Sequence, residues 1–158
     1  MTDTVFESEV VTKALVRFFE LPQRAGRFAL ITLDNGQDHT RPNTFGPGGL
    51  TALDAAIDQV AEVDDIVGVG VTGKPFIFAV GADLSGVGLI RLRKDAHAIA
   101  KGGHDVFRRL GELAVPSFAF VSEVSASFAV VTARFASLAV VTLRSAILPV
   151  VMLRSAMS

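Results

Sequence analysis

Two runs of β-branched and aromatic residues, 10–21 and 27–33, stand either side of Pro22-Gln23-Arg24-Ala25-Gly26. A turn carrying both Pro and Gly between such runs predicts a β-hairpin. Residues 34–49 follow with Asn35-Gly36, Pro42, Pro47 and further glycines, the composition of a long irregular loop, and loops of that length in compact domains are often functional. Leu50, Leu53, Ile57, Val60 and Ala61 then recur at helical spacing, and Thr51-Ala52-Leu53-Asp54 has the Thr-x-x-acid form of a capped start. The spacing predicts a helix over 50–62, ended by Asp64-Asp65. Residues 66–72 form a near-continuous apolar run, the pattern of a strand covered on both faces, and 76–80 predict a further strand. After the glycine-rich 85–88 loop, helical spacing predicts helices over 89–101 and 104–113, closed by Pro116, and then a strand over 117–121. Alternation of helix and strand through the middle of the chain is the signature of an α/β layer.

Beyond residue 123 the pattern changes. Residues 128–137, 138–147 and 148–157 align without gaps at a period of ten, each with a Val-Val pair and an arginine, Arg134, Arg144 or Arg154. Ten residues advance a helix to roughly 80° short of whole turns, so the arginines form no helical stripe. On strands an even period keeps them on one face, yet no Gly, Asn or Asp marks a turn between repeats. No uninterrupted apolar stretch reaches the ~18 residues of a spanning helix. The expected organisation is therefore a domain portion over 1–123 and a low-complexity apolar tail over 124–158, out of frame or poorly structured.

Composition sharpens this division. The 158-residue chain carries sixteen acids and fifteen bases, and the first 123 residues hold all the acids and twelve of the bases, a net of −4; the three tail arginines add +3. A charge near zero offers no footprint for nucleic acid. The absence of cysteine excludes disulfides and thiol chemistry and fits a reducing cytoplasm, the expected location. Met1-Thr2-Asp3-Thr4 has no apolar core of a secretory signal.

Several tempting motifs lack their context. Gly68-Val69-Gly70-Val71-Thr72-Gly73 matches G-x-G-x-x-G, but a dinucleotide fingerprint opens a helix, and here Lys74-Pro75 and more apolar residues follow. Pro75 also deprives a P-loop of the hydroxyl that would hold Mg²⁺. The glycines read instead as sites of close packing. His39, His97 and His104 have no metal-ligand spacing, Ser85 and Ser117 lack G-x-S-x-G, and Asp54, Asp58, Asp64 and Asp65 read as solvated helix faces and ends. No metal site is expected.

Chemistry is sought where the second apolar run ends, at Val80-Gly81-Ala82-Asp83. A strand ending in such a turn leaves backbone N–H groups unpaired, and Gly81 lets a ligand approach closely. Preorganised N–H donors of this kind stabilise an oxyanion by about 3 kcal/mol each. The alternative is a plain strand-to-loop turn in which Asp83 caps the next residues of the loop.

Lys74-Pro75-Phe76-Ile77-Phe78-Ala79-Val80-Gly81-Ala82-Asp83-Leu84 resembles the Phe-x-x-Gly-Ala-Asp segment of the enoyl-CoA hydratase/isomerase (crotonase) superfamily. The strand before it, and Val115-Pro116-Ser117-Phe118-Ala119-Phe120-Val121, resemble that family's strands as well. Residues 10–121 are similar to the N-terminal hydratase part of bacterial multifunctional hydratase/3-hydroxyacyl-CoA dehydrogenases. The resemblance implies an α/β fold, an incomplete crotonase-like (ββα) core with an N-terminal hairpin followed by the decapeptide-repeat tail. It places one oxyanion-hole N–H on Val80 and coenzyme A contacts on Val80, Gly81, Ala82 and Asp83. The thioester itself is the substrate, so no separate cofactor is implied.

The departure from the family is equally specific. Where the family continues with Asn-Gly, a Gly-Gly-Gly turn bearing the second donor, and two catalytic glutamates, this chain has Ser122-Glu123-Val124-Ser125 and the glycine-free repeat. Glu123 precedes the expected glycine turn and takes neither role. The family's trimer-forming C-terminal helices have no counterpart, so trimers are not expected. Two readings result: a protein of fatty acyl-CoA metabolism with an incomplete hydratase site, binding an acyl-CoA and no nucleic acid and having no membrane span, or a non-catalytic module that binds CoA thioesters or a partner chain. Nucleotide hydrolysis through Lys74 is a distant third.

Overall fold

A computed structural model describes residues 9–86, 88, 90 and 92–121, and the backbone of 138–142. Strands β1 (Lys13–Glu20) and β2 (Arg27–Asp34) form the expected hairpin, antiparallel from Lys13 opposite Asp34 to Glu20 opposite Arg27. A short 3₁₀ turn over Pro22–Arg24 and Gly26 at φ +102 reverse the chain. Helix α1 (Pro47–Ala61), strand β3 (Ile66–Gly73), helix α2 (Arg93–Gly111), strand β4 (Ser117–Val121) and strand β5 (Leu138–Thr142) complete the order. The strands lie side by side as β1-β2-β3-β4-β5, and every pair after the hairpin is parallel. Of the tail, the backbone of 138–142 extends the sheet beside β4. The rest of the repeat lies outside the described residues.

Alternation along the strands selects one face for the core. Ala29, Ile31 and Leu33 of β2, Val69 and Val71 of β3 and Ala119 of β4 pack with Leu53, Ala56, Ile57 and Val60 of α1 and Val106 and Leu110 of α2. Burying each such Leu, Ile or Val contributes about 1.5–3 kcal/mol. The apolar run of β3 does not signify two helical layers. Val69 and Val71 face the core, and the rings of Phe28, Phe118 and Phe120, from the neighbouring strands, lie over Gly68 and Gly70 on the other side. The Phe28 ring sits 6.3 Å from that of Phe118 and 6.4 Å from that of Phe120.

Three boundaries differ from the sequence expectation. Helix α1 begins at Pro47, not Leu50, because Pro is suited to a first helical position and the Glu9 carboxylate accepts the N–H groups of Gly48 and Gly49, both at 3.0 Å. Thr51 therefore caps nothing, its hydroxyl donating back to the Pro47 carbonyl at 2.9 Å. The two helices expected over 89–101 and 104–113 are one, α2, which runs through Gly102-Gly103. Packing of Val106, Phe107 and Leu110 against the core outweighs the roughly 1 kcal/mol helix cost of each glycine. Finally, 76–80 is not a strand: Ile77 N–H turns back to the Lys74 carbonyl at 3.2 Å, and Phe76 takes φ +69.

Candidate functional site

The 80–83 turn is built by the loop that precedes α1. Residues 43–45 act as a surrogate strand for it. The Asn43 carbonyl accepts Val80 N–H at 3.0 Å, Phe45 N–H donates to the Gly81 carbonyl at 2.9 Å, and the Phe45 carbonyl accepts Asp83 N–H at 3.0 Å. Phe45 is itself anchored in the core, its ring edge-on to Phe107 at 5.3 Å. The turn is thus fixed from behind by backbone that packing holds still.

Asn43 is the node of this arrangement. Its side chain is fully buried and donates to the carbonyls of Leu33, at 2.9 Å, and Phe78, at 2.7 Å, while its Oδ1 accepts Asn35 N–H at 3.0 Å. It joins the end of β2, the start of the loop and the approach to Val80. Sequence reasoning missed it, since an Asn between Pro42 and Thr44 carries no periodic signal; the available hint was the readiness of Asn to bond nearby backbone in place of secondary structure. Gly73 is a close-packing glycine, as the sequence predicts, but it meets more than neighbouring strands. In fact the chain doubles back over it so tightly that a Cβ there would lie 2.1 Å from the Ile77 carbonyl oxygen.

Within the turn, Gly81 has φ +110, a conformation that favours glycine. Val80 and Ala82 are exposed, and the amides of Gly81 and Ala82 have no acceptor among the described residues. The Val80 amide, the donor implied by resemblance, is engaged by Asn43. The Asp83 carboxylate accepts Ser85 N–H at 2.8 Å, the local capping that the plain-turn alternative anticipates.

The other polar residues singled out in the sequence are occupied structurally. Lys74, largely buried, donates to Asn35 Oδ1 and, at 2.8 Å, to the Gln37 carbonyl, so its ammonium ties down the loop. No helix follows it, and with it goes the P-loop geometry. Asp54 and Asp58, expected to be merely solvated, both pair with Arg109 and bridge α1 to α2. The hydrogen bonds that Arg109 donates to these carboxylates, Asp58 first, raise its pKa above the ordinary value. Asp65, immediately before β3, pairs with Arg27 at the start of β2 at 2.5 Å. Ser117 is buried in β4, and His97 and His104 are exposed on α2. Among the described residues, no cluster of three or more His, Cys, Asp or Glu could hold a metal ion. No helix among them is long and apolar enough to cross a membrane.

No protein-family model and no curated protein matches the sequence. Solved structures do. Pseudomonas aeruginosa DspI is similar at 27% identity and TM-score 0.53, over 75% of this chain and 46% of that one. An enoyl-CoA hydratase/isomerase from Xanthobacter autotrophicus Py2 aligns at 23% identity and TM-score 0.58, over 70% of this chain and 39% of that one. An enoyl-CoA hydratase from Bacillus anthracis aligns at 17% identity and TM-score 0.55, over 72% and 42%. The chain spans less than half the length of each. With its mixed α/β sheet and two helices, it has the crotonase fold of the enoyl-CoA hydratase/isomerase structures.

Proposed function

We propose that this chain is an enoyl-CoA hydratase/isomerase-like protein of acyl-CoA metabolism that binds a CoA thioester at the 80–83 turn and lacks the groups for turnover. The observation that carries the reading is an exposed turn on a crotonase fold with two amides, Gly81 and Ala82, that have no acceptor among the described residues and a backbone held in place by residues 43–45. Donors fixed before the ligand arrives polarise a thioester carbonyl without reorganisation. Hydration would further require carboxylates to activate water and move a proton. The one carboxylate in the turn, Asp83, is occupied with Ser85 N–H, which favours binding without turnover. In this reading residues 1–123 are the crotonase-like portion and 124–158 a separate repeat tail.

The test is calorimetric titration of the purified chain with CoA and with crotonyl-CoA, alongside the loss of enoyl absorbance. Each ground-state hydrogen bond to the thioester oxygen contributes about 1 kcal/mol. Two such bonds should make crotonyl-CoA bind about 5- to 30-fold more tightly than CoA, with no hydration. Equal affinities, or no binding of either, would reject the thioester site; measurable hydration would reject its incompleteness.

A further inference from the structure

We propose that the free edge of β1 is a self-association surface, on which a second copy of this chain pairs its own β1 antiparallel about a two-fold axis at Val16. The inference is independent of the thioester reading. β1 stands at the end of the sheet, with β2 as its one strand neighbour among the described residues. Leu21 N–H donates across the hairpin to the Gly26 carbonyl at 2.9 Å. Backbone direction alternates along an antiparallel strand, so odd-numbered residues aim their N–H and C=O groups at β2, and Ala14, Val16 and Phe18 aim theirs outward. The edge is also apolar, with Leu15, Phe18 and Phe19 exposed by 45%, 40% and 46%. Such an edge templates the pairing of another strand, and charged side chains on it restrain that pairing. Here Lys13, Arg17 and Glu20 leave one symmetric register open. A two-fold axis normal to the sheet pairs each residue with one on the same face, so the axis passes through a residue. Centred on Arg17, it sets that guanidinium against its own copy; centred on Leu15, it sets Lys13 against Arg17, and like charges directly opposite are destabilising. Axes nearer either end pair at most Val16 to Glu20 of the strand. Centred on Val16, the ladder runs from Lys13 to Phe19 with no like charges opposed. It places Phe18 beside the small Ala14 on the helix side of the sheet. On the other side it lays Leu15 along the stem of Arg17 and brings the Lys13 ammonium to the Phe19 ring, a cation–π pair.

The experiment is sedimentation equilibrium of the full chain over a concentration series, with amide exchange measured at both ends of the series. Association should stop at two copies. In the dimer the Ala14, Val16 and Phe18 amides should exchange about tenfold more slowly than in the monomer, while Leu15 and Arg17, bonded to β2, keep their rates. Phe19→Lys sets a second ammonium opposite Lys13, twice by symmetry, and should raise the dimer Kd by about 2- to 30-fold. Phe19→Glu supplies the opposite charge and should associate at least as tightly as the unsubstituted chain. Combining Lys13→Glu with Phe19→Lys restores opposite charges and should recover the dimer. Should Phe19→Lys fail to fold, Leu15→Lys serves in its place, since it sets an ammonium opposite the Arg17 guanidinium. A chain that stays monomeric at its highest soluble concentration, or association that continues past two copies, would overturn the proposal. So would a Kd indifferent to both lysine substitutions, or a Val16 amide that exchanges as fast in the dimer as in the monomer.

Discussion

Replacing Gly73 by alanine should be among the most damaging single-methyl changes in the described part of the chain. An added Cβ would sit 2.1 Å from the Ile77 carbonyl oxygen, 2.4 Å from Phe78 Cα and 2.7 Å from the Phe78 carbonyl oxygen. These neighbours are backbone and cannot rotate away. Relief requires the 77–78 segment to lift by about 1 Å, the shortfall from a van der Waals contact of roughly 3.4 Å. That movement would stretch the Asn43 Nδ2 bond to the Phe78 carbonyl, at 2.7 Å, and the turn bond from Ile77 N–H to the Lys74 carbonyl, at 3.2 Å. Overpacking costs about 1–3 kcal/mol and each of the two weakened neutral bonds about 1 kcal/mol, so the expected loss is about 3–5 kcal/mol. Gly70→Ala is the control. There the added Cβ meets the ring edges of Phe120 and Phe28 at 2.6 and 2.9 Å and a Leu30 methyl at 3.0 Å, side chains that can shift. Urea unfolding of both variants measures the difference. A Gly73→Ala protein within about 1 kcal/mol of the unsubstituted chain, or no less stable than Gly70→Ala, would refute the account of this crossing.

Gly102→Ala should raise stability by about 0.5–1 kcal/mol in the same assay, because Gly102 lies within α2 with open space around it and alanine is the better helix former. Acid should weaken the protein through Asp105, whose pKa is lowered by hydrogen bonds from Lys101 first and then Arg108. A depressed folded-state pKa means that this contribution is complete above the unfolded carboxylate value of about 4 and disappears as the pH falls through the folded value. The stability gap between the unsubstituted chain and Asp105→Asn should therefore be present at pH 7 and close in acid; a gap independent of pH would count against it.

Local patterns were sufficient wherever a residue's role depended on near neighbours in the chain. The hairpin was legible because Pro22 and Gly26 punctuate two β-rich runs, and β4 because Pro116 precedes an apolar run. The core face of α1 was legible from the spacing of Leu53, Ile57 and Val60, all buried. Expectations failed where a distant residue intervened. Thr51 was displaced as a cap by Glu9, from more than forty residues upstream. Gly102-Gly103 reads as a break until the core contacts of Val106 and Leu110 on the same helix are counted. The apolar run over 76–80 has strand composition, yet Pro75 offers no N–H and the chain must fold back over Gly73.

The sequence by itself determined the α/β class, the hairpin, the glycine-marked position of the 80–83 turn and its resemblance to a thioester-binding segment. It could do so because periodicity, turn residues and short motifs are properties of adjacent positions. Only the tertiary structure decided which amides of that turn are open. That choice depends on Asn43 and Phe45, some thirty-five residues away in the chain, whose backbone lies alongside the turn and accepts the Val80 and Asp83 N–H groups. Hydrogen-bond partners fixed across such a separation leave no trace in local composition, so the pairing of the turn's amides emerges only when the loop before α1 is folded against it.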